Sequence, residues 1–121
     1  MPCTFRMENG IVIGTCNDIL GLDDAKHSAT AVWGNPDWVG KPLLWDFRAA
    51  RFDVRPSEVR EFAQFILREQ PKLAPPKVAM VAARDLDFGF GRMFEVLRED
   101  PTTEVRTFRD FESALDWVRS A

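Results

Sequence analysis

The sequence predicts an α/β fold: a mostly parallel five-stranded sheet with an antiparallel first strand and four helices. Three observations lead there. Asn9-Gly10, the strongest two-residue hairpin signal, joins two strand-like segments. After the next helix, strand and helix patterns alternate three times, as in parallel sheets with right-handed crossovers. The run Lys77-Val78-Ala79-Met80-Val81-Ala82-Ala83 is apolar almost throughout, which suits a parallel strand covered on both faces.

Taken in order, Cys3, Phe5 and Met7 alternate with Thr4, Arg6 and Glu8, the period-two pattern of a half-buried edge strand. Ile11-Val12-Ile13 is apolar on both faces and reads as an interior strand. Asn17 or Asp18 can cap the following helix. Leu22, Ala25, Ala29, Val32 and Trp33 form its buried stripe, with His27 on the opposite, solvated side. Gly34-Asn35-Pro36 stops it. Leu43-Leu44-Trp45 begins a third strand that runs out at Asp46-Phe47-Arg48. Ser57 is placed to cap a helix with Val59, Phe62, Ala63 and Ile66 inward, closed by Pro71. Phe90, Met93, Phe94 and Leu97 mark the third helix, and Val105 to Phe108 the last strand. Asp110 caps a final helix that buries Phe111, Ala114, Leu115 and Val118. No internal boundary interrupts the pattern, so residues 1–121 read as one domain.

At 121 residues the chain can bury roughly two-thirds of its unfolded surface, enough for a core without staples. A net charge of −3 with no dense basic stretch argues against nucleic acid as a partner. No apolar run approaches the ~20 residues of a spanning helix, so membrane contact would be peripheral at most. Met1-Pro2-Cys3-Thr4-Phe5-Arg6 has no signal-peptide core, and a cytoplasmic protein is expected. Neither of the two cysteines sits in a metal-ligand spacing, and His27 is the sole histidine. No metal and no cofactor are implied. In the cytosol Cys3 and Cys16 would stay reduced. Counting outward from Asn9-Gly10, however, places them opposite one another, so a cross-strand bridge can form on oxidation.

Three strand ends carry an acid and an arginine: Asp46 and Arg48, Arg84-Asp85, and Arg109-Asp110. Open α/β sheets collect ligands beyond the carboxyl ends of their strands. The candidate ligand-binding residues are therefore Trp45, Asp46, Arg48, Arg84, Phe88, Phe90 and Arg92. Two readings stay open for the charged ones. Asp46 and Arg48 form either a site or a local ion pair, and a buried Asp46 needs a donor in either case. Gly89 and Gly91 either expose backbone N–H groups to an anion beside Arg84 and Arg92, or let the helix approach the sheet. Asp87-Phe88-Gly89 spells the kinase metal triplet, but no other kinase signature accompanies it. Gly89-Phe90-Gly91 lacks the third glycine of a dinucleotide fingerprint. Asp23-Asp24 face solvent at a helix start. Trp33 and Trp38 bracket a loop and can line a pocket, meet lipid, or pack on the sheet. If the crossover helices share one face, the other needs a helix, a ligand or a second subunit; a homodimer is expected.

Leu44-Trp45-Asp46-Phe47-Arg48, Lys77 to Ala82, Phe90-Gly91-Arg92-Met93-Phe94-Glu95, and Val105-Arg106-Thr107-Phe108-Arg109-Asp110 through Ala114-Leu115-Asp116-Trp117 together resemble the SpoIIAA-like proteins. These are small bacterial relatives of STAS domains and of CRAL–TRIO lipid-binding domains. The resemblance covers the chain from about Leu43 onward. It implies a β–α superhelix, no catalysis, and an apolar or lipid-like ligand. It also implies the anti-sigma-factor antagonist role, which depends on a phosphorylatable serine in an Asp-Ser-Ser-Gly or similar loop. Here that loop reads Phe52-Asp53-Val54-Arg55-Pro56-Ser57-Glu58, with no glycine after Ser57, so the sequence departs from the pattern.

The reading that follows is a non-enzymatic cytoplasmic module holding a small apolar or amphipathic ligand at the strand ends. Trp45 with Phe88 or Phe90 would form its wall, and Arg48, Arg84 and Arg92 would meet an anionic head. The alternatives are a STAS-type regulator of a protein partner, and an enzyme built around Asp46.

Overall fold

The computed structural model describes residues 2–98 and 100–120. Among them are five strands and four helices: β1 (Cys3–Glu8), β2 (Ile11–Leu20), α1 (Leu22–Trp33), β3 (Leu43–Phe52), α2 (Pro56–Glu69), β4 (Lys77–Val81), α3 (Asp85–Leu97), β5 (Glu104–Phe108) and α4 (Phe111–Arg119). The strands lie side by side in chain order. β1 is antiparallel to β2, and every later pair is parallel. The predicted fold class is the observed one.

The hairpin forms where its dipeptide places it. Asn9 and Gly10 take φ of 52° and 79°, the two positive values that a right-twisted two-residue turn demands. That turn sets Glu8 opposite Ile11 and, five pairs on, Cys3 opposite Cys16. Both cysteines are buried and their sulfurs are bonded, with the Cα atoms 4.0 Å apart. The expectation of two reduced thiols gives way to the cross-strand bridge, because the register leaves each sulfur no nearer partner.

Two strands are longer than their apolar patterns suggest. β2 continues through Asn17 and Asp18 to Leu20, and β3 continues past Arg48 to Phe52. Their outer halves pair with each other beyond a register shift between Thr15 and Asn17, where polar residues stay exposed. Asn17 and Asp18 are thus strand residues rather than caps. Gly21 is the N-cap of α1, and its N–H donates to Asp24 Oδ2 at 2.9 Å. Ser57 is not a cap either: Arg55 holds that position, its N–H donating to Glu58 Oε1 at 2.8 Å. Pro56 opens α2 with its φ already helical, which moves the cap two residues upstream of Ser57. Asp110 caps α4 as expected, accepting the Ser113 N–H at 2.9 Å.

The sheet is covered on both faces. On one, Ile11, Ile13, Leu44, Ala79 and Val81 pack against Ala114 and Val118 of α4. On the other lie Cys3, Cys16, Leu20 and Ala50, with Phe5, Trp45, Phe47 and Phe52 packed around them. Helix α2 packs between α1 and α3 over this second face. α4 therefore covers the surface that was to need a second subunit, and the argument for a homodimer falls with it. Gly91 explains the close approach of α3 to β5: a Cβ there would stand 2.6 Å from Thr107 Cγ2. Gly89 has open space around it, so only the second glycine serves packing.

The disulfide closes a loop of sequence separation 13 and should restrict the unfolded chain. Reduction is expected to lower stability by about 3 kcal/mol, the chain-entropy value for a loop near this length. Thermal melting with and without reductant measures it, and an unchanged midpoint would refute it.

Candidate functional site

The acids and arginines of the strand ends do gather on one edge, but they are occupied with one another. Arg48 grips Asp46 with a fork: Nε donates to Oδ1 and Nη2 to Oδ2, each at 2.8 Å. The Arg48 N–H adds a third bond to Oδ1 at 3.1 Å. The guanidinium lies 4.8 Å from the Phe111 ring centre, on the α4 side of the sheet. Arg109 Nη1 donates to Asp85 Oδ1 at 2.7 Å, and its guanidinium lies 4.2 Å from the Phe88 ring centre. Arg84 Nε is 3.5 Å from Asp87 Oδ2, and Arg92 Nη1 is 3.8 Å from Glu95 Oε1. The glycines do not build an anion cradle. Helix α3 begins at Asp85, so Gly89 lies past its first turn, which carries Asp85 and Asp87 instead. Negative side chains already complement that helix end.

Asp87, part of the kinase-like triplet, has a different role. It is 1% exposed, and its Oδ1 accepts the Phe52 N–H at 3.1 Å. The acid thereby latches the overhanging end of β3 to the start of α3.

The cavity lies elsewhere. Between the second sheet face and α1–α3 is a space of about 150 Å³. Trp45, Phe47 and Met80 line it from the sheet, and Phe62, Phe90 and Phe94 from the helices. Trp45 is held by Phe5, edge-on at 5.5 Å, and by Phe47, stacked at 6.0 Å. Trp33 also reaches the space, stacked on Phe65 at 5.8 Å, whereas Trp38 packs on Phe5 at 5.9 Å. Glu58, Gln70 and Arg98 bring charge or polarity to an otherwise largely carbon wall.

Of the seven candidate residues, Trp45 and Phe90 line this cavity. Asp46 and Arg48 sit on the α4 side, Phe88 lies beneath Arg109, and Arg84 and Arg92 are exposed. Residues the sequence reading passed over complete the wall: Phe62, Phe94, Gln70 and Arg98. The two phenylalanines were legible as helix core. Arg98 had no sequence signal, since a helix-end arginine is normally solvated.

Asp46 shows how the edge charges are balanced. Burial pushes its carboxyl up, but the Arg48 side-chain bond, the Arg48 N–H and the charges of Arg48 and Arg6 outweigh that and hold it below its ordinary value. A depressed carboxyl contributes fully above the unfolded value of about 3.9, and the contribution is lost as pH falls through the folded value. Arg48 is half exposed, so Asp46→Asn is expected to lower stability at pH 7 by only about 1 kcal/mol. The same variant should also flatten the loss of stability below about pH 4. Acid unfolding curves that superimpose for variant and parent would contradict this.

No family model matches the chain, and no curated protein matches it. Solved structures do. One is an uncharacterized protein of the DUF3478 family with a SpoIIAA-like fold from Shewanella loihica PV-4: 18% identity, 96% of this chain and 91% of that one covered, TM-score 0.56. Another is an anti-sigma factor antagonist from Mycobacterium paratuberculosis: 13% identity, 98% of this chain and 93% of that one covered, TM-score 0.65. Among the described residues no helix is long and apolar enough to cross a membrane. The chain has a SpoIIAA-like α/β fold.

Proposed function

We propose that this protein is a non-enzymatic module that holds a small apolar molecule between the sheet and helices α1–α3. The observation that carries the reading is the aromatic cavity of about 150 Å³. A largely apolar space of that size can take a molecule about the size of benzene. A fitting ligand would therefore recover contacts the empty protein forgoes. The site moves from the strand ends to the sheet face, while Trp45 and Phe90 keep their expected roles as its wall.

Toluene is expected to bind, read by calorimetry. Ala29→Leu adds carbon to a cavity-lining position and should weaken that binding at least about tenfold while the fold is retained. Native mass spectrometry of protein taken from cells should reveal a bound small molecule. A bare mass together with no heat of toluene binding would remove the proposal.

A second reading is favoured by the likeness to the anti-sigma factor antagonist: a regulator that binds one protein partner. Ser57 is exposed in the first turn of α2, where added negative charge meets the positive helix end. A pull-down is expected to recover one stoichiometric partner that Ser57→Asp releases. Equal recovery by both proteins would argue against control through Ser57.

A further inference from the structure

The arginines at the strand ends are solvated and engaged, but one arginine elsewhere is not solvated at all. Arg98, the C-cap of α3, is 3% exposed and lines the cavity beside Gln70. Its contacts among the described residues are sparse for a guanidinium with five donors. Nη2 donates to Gln70 Oε1 at 2.9 Å, and Nη1 reaches Asp100 Oδ2 at 3.4 Å. Asp100 is shared among several donors, its Oδ2 also accepting from Gln70 Nε2 at 3.3 Å. Its Oδ1 accepts the Thr102 N–H at 2.8 Å and the Thr102 hydroxyl at 2.7 Å, both shorter than its contact to Arg98. Burial pushes the guanidinium down from its ordinary value, with the charge of Asp100 working against that. Among the described residues this buried cation has one hydrogen bond and one long ion pair, and a further anionic acceptor on its remaining donors would offset the cost of its burial.

The cavity is also asymmetric along α2. Glu58 stands in the first turn of that helix and Gln70 is its C-cap, so the two ends of the space carry opposite character. An anionic group is repelled at the Glu58 end and attracted at the Arg98 end.

We infer that the ligand is a short amphipathic carboxylate, its apolar body among Trp45, Phe90 and Phe94 and its carboxylate on the buried guanidinium of Arg98. The inference rests on the cavity being a binding site and adds the chemical class and the orientation of what fills it. Arg recognises carboxylate through paired N–H donors, and such bonds strengthen where water is excluded. The volume limits the body to about six carbons or a single ring.

Hexanoate and toluene serve as probes, measured by calorimetry on the parent and on Arg98→Met, which keeps an unbranched apolar side chain. The parent is expected to bind both. Arg98→Met should weaken hexanoate at least about tenfold and leave toluene within about twofold. In parent protein, hexanoate should also shift the Arg98 side-chain Nε–Hε resonance while toluene leaves it in place; this readout needs no variant to fold. Binding of toluene with no binding of hexanoate overturns the carboxylate assignment and leaves the apolar site standing. So does equal weakening of both probes in Arg98→Met, or a resonance unmoved by hexanoate. Failure of both probes to bind the parent overturns the site itself.

Discussion

Successive side chains of a strand point to opposite faces, and along β3 that rule separates the protein's apolar cavity from its charged edge. Leu44 faces α4 and Trp45 faces α1–α3. Asp46 and Arg48 share the side of Leu44, where Arg48 lies over Phe111. Adjacent residues that look like one constellation in the sequence are therefore divided by the thickness of the sheet. A ligand on Trp45 has no direct path to the Asp46–Arg48 pair, and the chemistry must be sought on one face at a time.

The two faces also pack by different means. Against α4 the sheet presents Ala79 and Val81, and the helix answers with Ala114 and Val118. Larger side chains, Leu44 from the sheet and Phe111, Leu115 and Trp117 from the helix, pack around them. The other face is aromatic. Phe47 and Phe52 meet edge-on, Phe52 and Phe90 are tilted, and Phe62 and Phe94 are tilted again. Planar rings set at such angles hold the helices off the sheet and tile the space incompletely. The cavity follows from that choice of residues.

Charge is distributed to suit this division. Around the sheet edge each of the arginines Arg48, Arg84 and Arg109 has an acid within reach, and each is at least two-fifths exposed on its side chain. Pairs of that kind contribute little and cost little. Two charged groups buried away from that edge, Asp87 and Arg98, are different. Asp87 spends its oxygen on the Phe52 N–H, a backbone donor left over where β3 outruns β4. Arg98 spends its donors on Gln70 and Asp100 at the far end of α2. One fastens the long strand, and the other stands at the wall of the cavity.

Local patterns in the sequence were enough to determine the element order, the antiparallel first strand, the hairpin register that aligns Cys3 with Cys16, and the Asp110 cap. Each depends on residues a few positions apart: a turn dipeptide, a period of two or three to four, a capping side chain. The extension of β2 and β3 was not legible, because Asn17, Asp18 and Arg51 pair in an overhang where no apolar alternation marks a strand. Trp45 and Phe90 could be picked as aromatic wall residues, while Arg48, Arg84 and Arg92 could be seen only as nearby charges. Which arginine meets the cavity was decided by tertiary packing alone. α3 is carried across the sheet until its C-cap, Arg98, is buried beside Gln70, and that burial joins residues 28 positions apart. Contacts of such separation leave no periodic trace in the chain, so the apolar character of the site was written locally and its polar end was not.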